Sequence, residues 1–433
     1  MKTKPVFLIL CLALCLPATA HETPEKTLRA GLTHVESQNP PHPATDWDAT
    51  TLSGNWDGER DRLEAHGFTW TLNSTSDFQP NVVGGRRQVP AFFQRNTMTL
   101  TFDFDKTTPW KGASIYLSGV YQFGTLTSQN DIGNFMGVSS IAGFNGPMLN
   151  QYGLIQSFLD EKVELKLGKI AMQDEFALMD YHYFFVNNTF GNPQIIGGLA
   201  APFTPNGQQG VRLRVELPEH LYFMTGAYNG KRNVFATDPN GINPSFNGDT
   251  VLGWEFGYQE ADAAGSAISK MHYKAGAIYN FGDFNPYLGT TQVSGNHLIY
   301  AMMSQQVWRT SPDSEKFRGL AVAASVLTAP DQINQVEWMG ELNLLYFGLF
   351  PDRPEDSTGI GFATAAFGND FSRAQQTAGG LAATDETVLE LNHMFVLSPG
   401  LRLQPSLQTI FQPAGAASRH DVLVLGLRGI LDF

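Results

Sequence analysis

The stretch from about Ala171 to Asn206 concentrates the side chains best suited to holding a small polar molecule. Asp174, Glu175 and Asp180 come first, and Tyr181, Tyr183, Phe184, Phe185 and Phe190 follow. Aromatic faces pack against the C–H face of a pyranose, and carboxylates accept hydrogen bonds from its hydroxyls, so this mixture has the composition of a small-ligand site. The competing reading is that the same rings anchor the segment to a wall. Elsewhere, single charges fall on one parity of alternating stretches: Arg95, Asp103, Glu164, Lys166, Arg212, Arg214, Glu255, Lys274, Glu341 and Glu390. The two signs are mixed, which suits hydroxyl-rich neutral solutes better than a dedicated ion path.

Catalytic chemistry is not indicated. The chain has no Gly-x-Ser-x-Gly elbow, no His-Glu-x-x-His and no phosphate loop. Asp238, Asn240, Asn247 and Asp249 are calcium-type ligands, but they lack the spacing of a twelve-residue calcium loop. Neither an enzyme, a cofactor nor a metal is expected.

Composition narrows the class. Of 433 residues 42% are hydrophobic and 12% aromatic, whereas only 16% are charged. The aromatics argue against a disordered chain. The formal net charge of −13 argues against nucleic acid as a partner. One run, Met1 to Ala20, approaches the length of a membrane helix; Lys2 and Lys4 precede its apolar core from Val6 to Leu16, and Ala18-Thr19-Ala20 follows that core. It reads as a secretory signal peptide over residues 1–20. Both cysteines, Cys11 and Cys15, fall inside it. The remainder therefore cannot form a disulfide framework, a zinc–thiolate site or an iron–sulfur cluster. Residues 21–50, with Pro24, Pro40, Pro41 and Pro43, read as a flexible lead-in.

A short helix is expected within residues 51–67, capped by Ser53 or Asn55 and ended by Gly67, with Trp56, Arg60 and Leu63 on one face. From Phe68 to Phe433 the period is two. Leu423, Leu425 and Leu427 alternate with Val424, Gly426 and Arg428; Trp254, Phe256 and Tyr258 alternate with Glu255, Gly257 and Gln259. About sixteen such strands are predicted, with cores beginning near residues 68, 93, 112, 149, 162, 207, 220, 250, 271, 296, 317, 335, 358, 386, 400 and 420. Long and short connections alternate along the chain. This points to an all-β fold: a transmembrane antiparallel β-barrel with apolar side chains outward and polar ones around a lumen. Closure removes exposed strand edges, and sixteen strands leave room for water. Trp70, Tyr121, Trp254, Trp338 and Tyr346, near strand ends, read as interfacial girdles.

The ordered motifs resemble one family, the carbohydrate-selective porins of the OprB type. Leu52-Ser53-Gly54-Asn55-Trp56-Asp57-Gly58, with Arg60, Arg62, Leu63 and Gly67, resembles its opening helix. Gln156-Ser157-Phe158-Leu159-Asp160 with Leu165-Lys166-Leu167-Gly168-Lys169 is similar to its strand–turn–strand signature. Asp174-Glu175-Phe176 and Phe185-Val186-Asn187-Asn188-Thr189-Phe190-Gly191 resemble its long third loop, and Val424-Leu425-Gly426-Leu427-Arg428 its closing strand. Four positions depart from that pattern: Asn55 and Asp57 in the helix, Ile155 where a carboxylate is expected, and Asn192 where Trp is expected.

The resemblance implies a porin in the outer membrane of a Gram-negative bacterium, passing mono- or oligosaccharides by diffusion through a barrel narrowed by the third loop. It implies contact with lipid and lipopolysaccharide. Recognition by the barrel-assembly machinery would run through the strand ending at Phe433. The functional unit would be a monomer or a homotrimer, with the short helix at the periplasmic mouth. The rival readings are a porin for another solute such as an organic acid, a barrel enzyme, and a secreted lectin-like β-protein.

Overall fold

A computed structural model describes residues 50–125, 127–192, 194–262, 266–310 and 316–433. The signal peptide and most of the lead-in thus lie outside the described residues. Among those described, no helix is long and apolar enough to cross a membrane. The chain crosses with strands instead.

The strands are β1 (Phe68–Phe78), β2 (Asn81–Val83), β3 (Phe92–Asp103), β4 (Ala113–Gly124), β5 (Gly146–Phe158), β6 (Val163–Ile170), β7 (Gln208–Glu216) and β8 (Leu221–Gly230). They continue with β9 (Asp249–Glu260), β10 (Met271–Phe284), β11 (Val293–Arg309), β12 (Gly319–Thr328), β13 (Val336–Phe347), β14 (Ser357–Phe367), β15 (Asp385–Ser398), β16 (Leu401–Phe411) and β17 (Val422–Asp432). Each wall strand pairs antiparallel with its neighbours in sequence. β1 then pairs with β17, from Asn73 opposite Asp432 to Phe78 opposite Leu427, and this closes a sixteen-stranded barrel. The three-residue β2 only extends the seam, pairing with the far end of β17. The last N–H, from Phe433, donates to Leu72 O at 2.9 Å.

The alternation fixes what faces where. On β17, Leu425 and Leu427 are exposed on the outer face, while Val424, Arg428 and Ile430 are buried inside. Tyr121, Trp254 and Trp338 are exposed outward. The inner face is not uniformly polar. Ile278, Leu298, Met302, Val388 and Ile410 also point inward, and all are buried there. Something must cover them, because apolar surface facing a water-filled lumen would be costly.

The cover is supplied by connections on one rim. On the other rim the turns are short, such as residues 159–162, 217–220 and 399–400. The long rim carries residues 125–145, 171–207, 231–248 and 368–384. Two of these, 125–145 and 171–207, fold into the barrel and join each other: Ser140 N donates to Val186 O at 2.8 Å, and Asn188 N to Gly137 O at 2.9 Å.

The N-terminal helix differs from its expected form. Trp56, Asp57 and Gly58 all take positive φ, so α1 spans only Glu59–Ala65 and Trp56 lies outside it. Asn55 still serves it, accepting the Asp61 N–H at 3.2 Å. Arg60, 2% exposed, sits 4.8 Å from the Trp56 ring and 4.6 Å from the outward-facing Trp70 ring. Such stacking desolvates a guanidinium without leaving it unsupported. Leu52 N donates to Asp432 O at 2.7 Å, which ties the segment to the short-turn rim. Among the described residues two further α-helices, α2 (Val234–Thr237) and α3 (Asn369–Thr377), lie in the long connections.

Candidate functional site

The segment 171–207 leaves β6, crosses the lumen and returns to β7. What holds it is a set of carboxylates on the inner wall, each taking a backbone N–H from the crossing segment. Glu390 on β15 accepts from Val186 N and Asn187 N, both at 2.8 Å. Glu341 on β13 accepts from Gly191 N at 3.0 Å and from the Tyr181 hydroxyl at 2.7 Å. Glu255 on β9 accepts from Ala177 N at 3.3 Å and is paired with Lys274 at 3.3 Å. Lys274 in turn donates to Leu178 O at 2.5 Å. Glu386 on β15 does the same for the other inward loop, accepting from Phe135 N at 2.7 Å and Met136 N at 2.6 Å. A buried pair, Arg428 on β17 with Asp77 on β1 at 2.7 Å, donates onward to Phe185 O. Charge-assisted bonds of this kind contribute about 1.5–3 kcal/mol each.

Packing completes the attachment. Inward-facing glycines form the sockets. A Cβ at Gly361 on β14 would come within 2.8 Å of both Phe185 and Phe190, and one at Gly253 on β9 within 2.4 Å of Met172. Phe185 and Phe190 pack 4.6 Å apart, ring to ring. Glycine in a strand often marks such a close approach.

At its near end the segment carries a charge cluster. Glu175 lies 2.5 Å from Lys166 on β6 and 2.9 Å from Arg212 on β7; Arg212 also meets Glu164 at 2.5 Å. Burial alone would raise the Glu175 pKa, but the Arg212 guanidinium and the Lys166 ammonium outweigh it and bring it down to about 2. Asp174 beside it accepts from Gln151 at 2.7 Å and from the Thr204 hydroxyl. Asp180 is pushed up by burial, although Ser269 N donates to it at 2.8 Å. Burial also brings His182 down to about 4, and its Nδ1 faces Phe190 O at 2.8 Å.

These positions correct several expectations of an open lining. Glu255, Lys274, Glu341 and Glu390 do point inward, but each is at most 8% exposed because the crossing segment sits on it. Tyr181 and Phe185 are fully buried, since their rings fill the contact with the wall. Arg95 points inward, is 5% exposed, and donates to Gln122 at 2.7 Å. Asp103 lies at the short-turn rim, where its side chain accepts the Asp105 N–H. Asp238 holds the backbone of its own loop, at Ile242 and Asn243, and Asp249 pairs with Arg232.

The partly open polar surface is therefore smaller. On the segment it includes Gln173, Asp174, Glu175, Asp180, Tyr183, Asn188, Asn192 and Thr204; on the inner wall at β7 it includes Arg214 and Glu216. Arg214 lies 3.9 Å over the Tyr222 ring and bonds Glu216 at 2.6 Å. Tyr183 is the one aromatic among residues 181–190 that is not buried. Asn192 hydrogen-bonds Gln173, whereas Ile155 lies on the inner wall, packed against Tyr116. Sequence reasoning missed Glu386, Gly253, Gly361 and the Asp77–Arg428 pair. The inward parity of each is readable, but the loop that each one meets is not.

A closed sixteen-stranded barrel with an apolar outer wall and a polar, loop-narrowed interior defines an outer-membrane porin. The family described as carbohydrate-selective porin, OprB family, matches residues 87–433, and the chain belongs to it. It is 27% identical to the Acinetobacter baylyi protein named "Putative porin QuiX" over 420 residues, which span 89% of this chain and 94% of that one. Against Porin B of Pseudomonas aeruginosa the identity is 23% over 415 residues, spanning 87% and 90%. The high-pH structure of Pseudomonas putida OprB aligns with a TM-score of 0.81 at 21% identity, covering 90% of this chain and all of that one. The chain is thus a carbohydrate porin of the Gram-negative outer membrane.

Proposed function

We propose that mono- and oligosaccharides diffuse passively through this barrel along the face of segment 171–207 that the wall leaves open, with Tyr183 as the platform for the sugar ring. Asp174, Asn188 and Asn192 on the segment, and Arg214 and Glu216 on the wall, take the hydroxyls. The observation that carries this reading is the staple set of Glu255, Glu341 and Glu390. It holds a mostly polar edge at a fixed distance from the wall, as a diameter-selective constriction requires. The long-loop rim faces the cell exterior. Helix α1 lies at the periplasmic mouth, and the final strand with Phe433 is the element presented to the assembly machinery. No step of chemical conversion is involved.

Single-channel conductance in planar bilayers, titrated with glucose, maltose and salts, tests it. Block of the current by sugar at sub-molar concentration is expected. Open-channel conductance that neither sugar reduces would overturn the assignment of the pathway.

A further inference from the structure

At the long-loop rim there is a cavity lined by none of the residues placed on the sugar path above. Its volume is about 400 Å³, and it lies between residues 197–206 of the crossing segment, residues 231–235 of the next long connection and Phe284 at the end of β10. That size suits a single sugar ring, at the lower end of the range for small-molecule sites. Gly197 in its lining is exposed, and a Cβ there would meet nothing within 4 Å.

Two half-buried rings form its apolar side. Phe235 meets Phe203 edge to face, with ring centroids 5.6 Å apart, and is backed by Phe144, stacked at 5.9 Å. Rings already fixed by each other present a surface to a ligand with little further loss of side-chain freedom. Cations form the other side. Arg232 lies 4.2 Å from the Phe284 ring and pairs with Asp249 at 3.2 Å. Lys231 has no acid of its own: among the described residues its ammonium donates to the Ser245 hydroxyl alone, at 3.0 Å. Asn206, also in the lining, accepts at 3.0 Å from Lys169 on β6, which otherwise donates to two backbone carbonyls. The acid of the same loop, Asp238, is committed to the amides of Ile242 and Asn243. Asp283 is exposed on the other face of β10. Three cations therefore stand against two acids, and the ammonium of Lys231 is one charge-assisted bond short.

We propose that this cavity is an entry site for acidic sugars, in which the C–H face of a pyranose-sized ring lies on Phe203 and Phe235 while its carboxylate is taken by Lys231 and by the guanidinium edge of Arg232 that Asp249 leaves free. A neutral sugar fits the same rings but leaves Lys231 without a counterion, so the carboxylate decides affinity there. The site rests on the passage of sugars proposed above and adds the class of sugar that the mouth favours. Its position ahead of the constriction gives it a role: held solute raises the local concentration from which the narrow part is loaded.

Protection of a cysteine in the cavity tests this, in outer-membrane vesicles of the full chain, whose only natural cysteines are at positions 11 and 15. Labelling of Gly197→Cys by an uncharged maleimide should slow as sodium glucuronate is added. Half-protection should come at about tenfold lower concentration than with glucose at the same ionic strength, the gain of one charge-assisted pair. Adding Lys231→Gln should bring the two solutes level and leave protection by glucose unchanged. The proposal fails if glucuronate protects no better than glucose, or if its advantage survives Lys231→Gln. Current block separates this from the passage reading: glucuronate that protects Gly197→Cys while neither solute blocks the channel overturns the passage and leaves the site standing.

Discussion

Replacing Glu175 with glutamine isolates the charge cluster at the near end of the crossing segment. Lys166 and Arg212 have side chains only 3% and 7% exposed, and Glu175 is the carboxylate they share. Removing one partner of a buried pair costs about 3–5 kcal/mol, because the other charge is left uncompensated. Arg212 keeps Glu164 at 2.5 Å, and the glutamine oxygen can still accept one bond, so the local cost should be nearer 2–3 kcal/mol. At about 1.4 kcal/mol per decade, that opens the turn at Met172–Phe176 about 30- to 150-fold more often. Hydrogen exchange reads it directly, at the amides of Glu175 and Phe176 that donate to Met172 O. The barrel strands should keep their protection. The lumen also gains one net positive charge, so the reversal potential under a salt gradient should move toward anion preference. If those amides lose less than threefold protection and the reversal potential stays put, the cluster does not hold the segment, and the reasoning fails.

Other outcomes follow from the same geometry. Tyr183→Ala should weaken sugar block severalfold without changing barrel thermostability; unchanged block would remove Tyr183 from the pathway. Gly361→Val should displace Phe185 and Phe190 at a cost of about 1–3 kcal/mol from overpacking, seen as noisier and larger open-channel currents. For pH, His182 is neutral in place with its pKa near 4, while a released imidazole has the ordinary value of about 6.5. The released form therefore binds more protons, and seating weakens as pH falls from about 6.5 to 4, by about 3 kcal/mol in total. Glu175 adds a loss only below its released value of about 4.5. Current noise recorded from pH 7.5 to 4 should rise across the first window, and His182→Gln should flatten it there.

The wall was legible in the sequence because period-two patterning is local. Strand starts expected near residues 68, 162 and 335 need only the neighbouring residues, and the structure has them at Phe68, Val163 and Val336. Parity likewise put Glu341 and Glu390 inside. Their exposure was not legible, since it depends on a segment some two hundred positions away, as Val186 is from Glu390. The helix illustrates a different limit. A face of Trp56, Arg60 and Leu63 presumes unbroken helix, and three successive positive φ values at Trp56–Gly58 remove Trp56 from it. Gly253 and Gly361 look like weak points in their strands until the rings above them are known.

The anchors of segment 171–207 impose a chronology. Its own flanking strands are β6 and β7, yet most of its seats are on β9, β13, β14 and β15, from two strands to half the circumference further along the chain. Only the near-end cluster on β6 and β7 is available earlier; those further seats do not exist until the later strands have zipped into register. The open lumen is therefore wider before the segment is seated, and the filter is completed last, after the cylinder is already in place.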